Sequence, residues 1–170
     1  MFKKLAIFLI SMLMVLSFIP MNAGADQTSD TFDITVTGEY LWIDITNASW
    51  AIGTVAMSSS HWTNETGITF IADMDNTTVT ADLKLQITND GADWAATTTG
   101  NAPAADTYRL NNSIDTWGNE NETLVASATT ISASIAAGNN ETFDLRFDAP
   151  TATTVATQQS ITVTASVVKS

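Results

Sequence analysis

The chain has no cysteine, one histidine, three prolines and only six lysines and arginines among 170 residues. Each scarcity excludes something. Without thiols there can be no disulfide, zinc–thiolate site, iron–sulfur cluster or cysteine nucleophile. Core packing, or neighbours in an assembly, must hold the fold instead. Six basic residues against 18 acidic ones give a formal net charge of −12. That balance offers no footprint for nucleic-acid phosphates and disfavours docking on anionic lipid. Amphipathic helical periodicity is also missing. Apolar runs near the roughly 20 residues that cross a bilayer are absent after the first turn of the sequence.

The one long apolar run comes at the start. Lys3 and Lys4 precede an uncharged stretch from Leu5 to Ile19, followed by Pro20 and the small residues Ala23-Gly24-Ala25. A basic start, an apolar middle and an A-x-A site make a secretory signal peptide over residues 1–25. Cleavage after Ala25 leaves residues 26–170 as one domain, expected outside the cell or on its surface. Lys84, Arg109, Arg146 and Lys169 then face all 18 acids, a formal charge of −14. Such a charge keeps an exported protein soluble and attracts divalent cations.

What the sequence does have is period-2 alternation. Along Thr78–Thr88 the odd positions Val79, Ala81, Leu83, Leu85 and Ile87 are apolar and the even ones polar. This is a strand with one face on a core and one in water, and Asn89-Asp90-Gly91 closes it with a turn. Phe32, Ile34 and Val36 alternate in the same way, as do Leu41, Ile43 and Ile45. So do Phe143, Leu145 and Phe147, and Ile161, Val163, Ala165 and Val167. Shorter strands are expected at 49–56, 67–72 and 107–110, with one or two across 124–135. About nine strands with frequent turn signals predict an all-β fold: a single antiparallel β-sandwich, Ig-like or jelly-roll-like, over roughly residues 30–169. Its core should contain Ile34, Val36, Leu83, Leu85, Ile87, Leu145, Phe147, Ile161 and Val163.

Chemical signals are sparse. His61 lies beside Ser58, Ser59 and Ser60, and an acid partner at Asp73 or Asp75 is conceivable. No G-x-S-x-G elbow accompanies them, and the histidine reads as an exposed loop residue. Asp73 and Asp75 space oxygen ligands for calcium, as do Asn89, Asp90 and Asp93, but neither turn completes an EF-hand loop. No other cofactor is indicated. N-x-[ST] triplets occur at Asn47, Asn64, Asn76, Asn111, Asn121 and Asn140. All six fall at expected turns or strand ends and are candidate N-glycosylation sites. Of the five tryptophans, Trp62 and Trp117 stand in polar loops and are the candidates for stacking on a sugar.

The stretch TFDITVTGEYLWIDIT after the leader, the central LKLQITNDG and the closing FDLRFDAP…QSITVTASVV resemble in layout the camelysin-like (TasA-type) matrix-fibre subunits and related archaeal pilus subunits. Gram-positive WxL surface domains are similar in layout, but their signature is absent, with Trp50-Ala51-Ile52 the nearest approach. The fibre resemblance implies a structural subunit of a filament, pilus, biofilm matrix or surface layer that self-associates by donating its N-terminal strand. Phe32, Ile34 and Val36 would then be the donated side chains, although an isolated chain is expected to fold that strand into its own sandwich. The alternative function is a carbohydrate-binding or adhesion module that recognises a cell-surface glycan through Trp62 and Trp117. A secreted hydrolase is a third reading, since fold does not fix function.

Overall fold

A computed structural model of the chain describes residues 31, 33–98, 101–114 and 122–170. The leader, Phe32, Trp117 and Asn121 lie outside the described residues. The chain divides into two units, residues 1–37 and residues 38–170, and the ten described strands all belong to the second.

Those strands form two sheets. The larger contains β1 (Asp44–Thr46), β3 (Phe70–Asp73), β9 (Glu141–Asp148), β6 (Thr107–Ser113) and β5 (Ala95–Ala96), in that order. In the same sheet β2 (Ser60–Trp62) also pairs with β9, and β7 (Glu122–Thr123) with β6. The smaller sheet runs β10 (Thr162–Lys169), β4 (Ala81–Asn89), β8 (Thr129–Ile135). Among the described residues no α-helix occurs, only a four-residue 3-10 turn at Thr63–Thr66. The result is a two-sheet, sandwich-like all-β domain. Its pairings are antiparallel except between β5 and β6, which run parallel.

Alternation decides which side chains meet. On β4 Ala81, Leu83, Leu85 and Ile87 are buried while Asp82, Lys84 and Gln86 lie on the other face. On β9 Phe143, Leu145 and Phe147 turn inward. Phe70 stacks on Phe143 with ring centroids 5.3 Å apart, and Tyr108 on Phe147 at 5.6 Å. These rings, with Leu110, Leu124 and Ile131, make the core between the sheets. The expected core residues Leu83, Leu85, Ile87, Leu145 and Phe147 are buried there, whereas Ile161 and Val163 are only half-buried at its margin.

Three expectations need correction. The N-terminal strand is not in the sandwich: residues 33–37 form no strand, and Ile34 and Val36 are 76 % and 82 % exposed rather than core. A period-2 pattern makes a segment fit to be a strand but supplies no partner edge. The strand expected at 49–56 is irregular for the same reason, and Gly53 takes φ +81° there. The strand expected over Leu41–Ile45 shrinks to Asp44–Thr46. Upstream of it the hydroxyls of Thr77 and Thr78 bond the backbone of Trp42 and Tyr40, beside a single backbone bond from Thr78 N to Tyr40 O at 2.9 Å. In the ambiguous 124–135 stretch, β8 has irregular register with β4 and Ser134 at φ +56°, a bulged strand and not a helical turn.

Candidate functional site

The smaller sheet is unevenly covered. Val163, Ala165 and Val167 of β10 stand directly opposite Ile87, Leu85 and Leu83 of β4, on the same face. The β4 side chains are sealed in the core; those of β10 are half-exposed. β10 is also an edge: β4 is its one neighbour among the described strands. Alongside it runs a slot of about 950 Å³. One wall is built from Phe70, Phe143 and Phe147 of the larger sheet, the other from Leu85, Ile161 and Val163. Trp50, Ile52 and Val55 cover it from the irregular segment after β1, and Trp94 and Val155 close one end. A hydrogen-bonded chain from Trp94 Nε1 through Thr153 Oγ to Asp106 holds that end (3.2 and 2.6 Å).

The opposite face of the larger sheet is polar. Asp148, almost fully buried, receives both arginines of the chain. Arg109 Nε and Nη2 reach Oδ2 at 2.8 and 2.7 Å, and Arg146 Nε reaches Oδ1 at 2.8 Å. Ser60 Oγ donates to Oδ1 at 2.6 Å. Burial by itself would raise this carboxyl; the Ser60 and Arg109 hydrogen bonds and the two guanidinium charges outweigh it and hold Asp148 below the usual range. Asp144, on the same face, goes the other way: its burial outweighs the hydrogen bonds from Thr63 and Thr69 and raises it. Trp62, expected in a loop, is in β2. Its ring lies 5.1 Å from the Arg146 guanidinium, a cation–π contact.

His61 is half-buried in β2, not free in a loop. Its Nε2 is 2.9 Å from Ser59 Oγ and its Nδ1 3.6 Å from Glu65 Oε2. The acid beside it is thus Glu65, not Asp73 or Asp75. The outline is that of a serine–histidine–acid relay, in which base activation requires the serine proton to face the imidazole. Ser59 Oγ also lies 2.6 Å from the Ala56 carbonyl, a second acceptor for its single proton.

The remaining candidates are dispersed. Asp73 Oδ1 accepts from Asp75 N at 3.0 Å and caps its own turn. Among the described residues no three histidine, aspartate or glutamate side chains gather as a cation would require. Asp90 accepts from Tyr108 O–H, and Asp93 from Thr157 and Gln159. Burial, and then the neighbouring Asp90 charge, push the Tyr108 phenol upward. Of the triplets, Asn47, Asn64, Asn76 and Asn140 are exposed. Asn140 uses its Oδ1 to accept from Met74 N at 2.7 Å, and Asn47 its Nδ2 to donate to Thr69 O at 2.9 Å. Asn111 is buried in β6, its Oδ1 accepting from Thr123, so a glycan could be attached there only before β6 and β7 pair.

Sequence reasoning singled out Trp62 and Trp117 for ligand stacking and left Trp50 and Trp94 as core-edge packing, which they are, without seeing that they share a slot. Tryptophan periodicity carries no sign of that. These features define the class: a two-sheet all-β domain with a partly unfilled core edge. No family model matches the chain, and neither does any curated protein or solved structure.

Proposed function

We propose that this chain is an exported, non-enzymatic structural subunit of an extracellular filament, matrix or cell-surface layer, assembling by strand donation. The observation that carries the reading is a complementary pair. One unit carries an alternating apolar segment with Ile34 and Val36 in water; the other carries an apolar slot lined in part by the edge strand β10. An unpaired edge in water is a template for another chain. Residues 31–37 of a neighbour, added by β-augmentation, bring ladder hydrogen bonds and apolar side chains at every second position. As a strand they reach about 23 Å, at roughly 3.3 Å per residue, close to the length of β10. Burying Phe32, Ile34 and Val36 contributes about 5–8 kcal/mol before ordering costs, at 1.5–3 kcal/mol per large side chain. The leader over residues 1–25 and the acidic surface fit such a protein in a secreted or surface location.

The test is the double substitution Ile34→Asp, Val36→Asp in the mature chain. Both positions are exposed, so the thermal midpoint should not move, while filaments seen by electron microscopy for the unaltered chain should vanish. Undiminished filaments in the variant, or none from the unaltered chain under any condition, would sink the reading.

The polar face supports a second reading. Trp62 under the Arg146 guanidinium, next to Arg109, is an aromatic and polar sheet surface of the kind that glycans dock on. A carbohydrate-binding or adhesion module would show specific signals on a glycan array. Those signals should disappear with Trp62→Ala or Trp117→Ala.

A further inference from the structure

The segment covering the slot is held differently from the strands that form its walls. Among the described residues, none from Ala48 to Val55 forms a backbone–backbone hydrogen bond. The ends are pinned: Asn47 Nδ2 donates to Thr69 O and Ser58 N to Pro150 O, both at 2.9 Å. Between the pins only Trp50, Ile52 and Val55 pack on the core, and the Trp50 indole N–H is buried without a partner. A buried donor left unmade is a standing cost. Nor can this segment become the missing strand. Its apolar residues fall at i, i+2 and i+5, with Gly53 at φ +81° between them, so one strand face cannot carry all three.

We propose that Ala48–Val55 is a displaceable strap. It shields the slot in the free subunit and yields the slot to residues 31–37 of a second copy. This rests on the strand-donation reading and adds a gate to it. The donor supplies what the strap lacks, ladder hydrogen bonds along β10 and apolar residues at strict i, i+2, i+4 spacing. Because the strap must open first, the apparent affinity for donor is lowered by the fraction of subunits that are open. A freshly exported subunit is thereby protected from pairing its edge indiscriminately.

The experiment uses the mature chain with its own donor silenced by Ile34→Asp, Val36→Asp, and a fluorescein-labelled peptide of sequence TFDITVT. Association is followed by anisotropy with and without the further changes Trp50→Ala and Ile52→Ser, which loosen the strap. The expected result is an association rate at least about tenfold higher in the loosened protein. A second readout needs no strap variant. With 5-fluorotryptophan incorporated, and the Trp50 resonance assigned by Trp50→Phe, saturating peptide should move that ¹⁹F signal to its solvent-exposed position. Equal association rates together with an unmoved Trp50 signal overturn the strap while leaving strand donation intact. Peptide that binds neither protein overturns strand donation, and the gate falls with it.

Discussion

β4 and β10 are hydrogen-bonded neighbours with nearly the same pattern, LKLQIT against TVTASVV, and they end in different environments. Leu83, Leu85 and Ile87 are sealed between the sheets; Val167, Ala165 and Val163, directly opposite them, are half in water. Pattern does not explain the difference, because both strands alternate cleanly. Position does. β4 is central, with β10 and β8 on either side and the aromatic rings of β9 and β6 across from it, whereas β10 is an edge facing the slot. Edge position alone is not the cause, since Ile131 and Ile135 of β8, the other edge, are buried; β10 differs in lining the slot.

The largest effect should come from emptying the filled side. Leu85→Ala deletes a sealed side chain from the central strand, and large-to-small changes of this kind cost about 2–5 kcal/mol. Urea denaturation should show a loss of about 4 kcal/mol. A loss below about 1 kcal/mol would mean that the β4 side is as loosely packed as the β10 side.

Next comes the polar face behind the filled core. Asp148→Asn leaves Arg109 and Arg146 without their carboxylate in a nearly buried place, and breaking a buried pair by removing one partner costs about 3–5 kcal/mol. We expect about 3 kcal/mol at pH 7. The folded pKa of Asp148 lies below its unfolded value, so its contribution is complete above about pH 4 and is lost as the pH falls through the folded value. Asp144, raised by burial, has the opposite sign but is common to both proteins. The gap between the parent and the Asn variant should therefore narrow between pH 5 and pH 2. A gap independent of pH would show that Asp148 does not act through its charge.

The smallest effect belongs to the unfilled side. Val163→Ala removes two methyl groups that are only partly buried, and at about 0.8 kcal/mol per fully buried methylene should cost about 1 kcal/mol in the free subunit, well under the loss at Leu85. In an assembly whose slot is occupied the same change should cost more, because donor side chains then pack on it. Comparing urea midpoints for free subunit and filament sharpens the contrast between the two strands. Equal losses in both states would argue against any filling of the slot.

Much of the architecture was legible without coordinates. Alternation over residues 81–88, 143–147 and 161–167 named the strands and their inward faces, because side chains on an extended chain change sides at every residue. The lack of cysteine excluded thiol chemistry. Legibility failed where a segment had strand character but no partner. Residues 32–36 and 49–56 read as strands, yet hydrogen bonding is a property of pairs, and no local pattern states whether an edge is vacant. The site was missed for the same reason. Trp50 lies just after a three-residue strand and Trp94 just before a two-residue one, and nothing nearby marks them as walls of one slot.

The sequence by itself determined the secondary-structure type, the inner and outer face of each long strand and the strongly acidic surface, because these depend on residues within a few positions of one another. Only the tertiary structure decided that β10 is an edge, that both arginines converge on Asp148, that Ile34 and Val36 stand in water, and that a slot runs beside Val163. Each of those outcomes needs two or more strands to choose their neighbours. That choice is made by whole-chain packing, where residues as distant as Leu85 and Ala165 settle opposite each other.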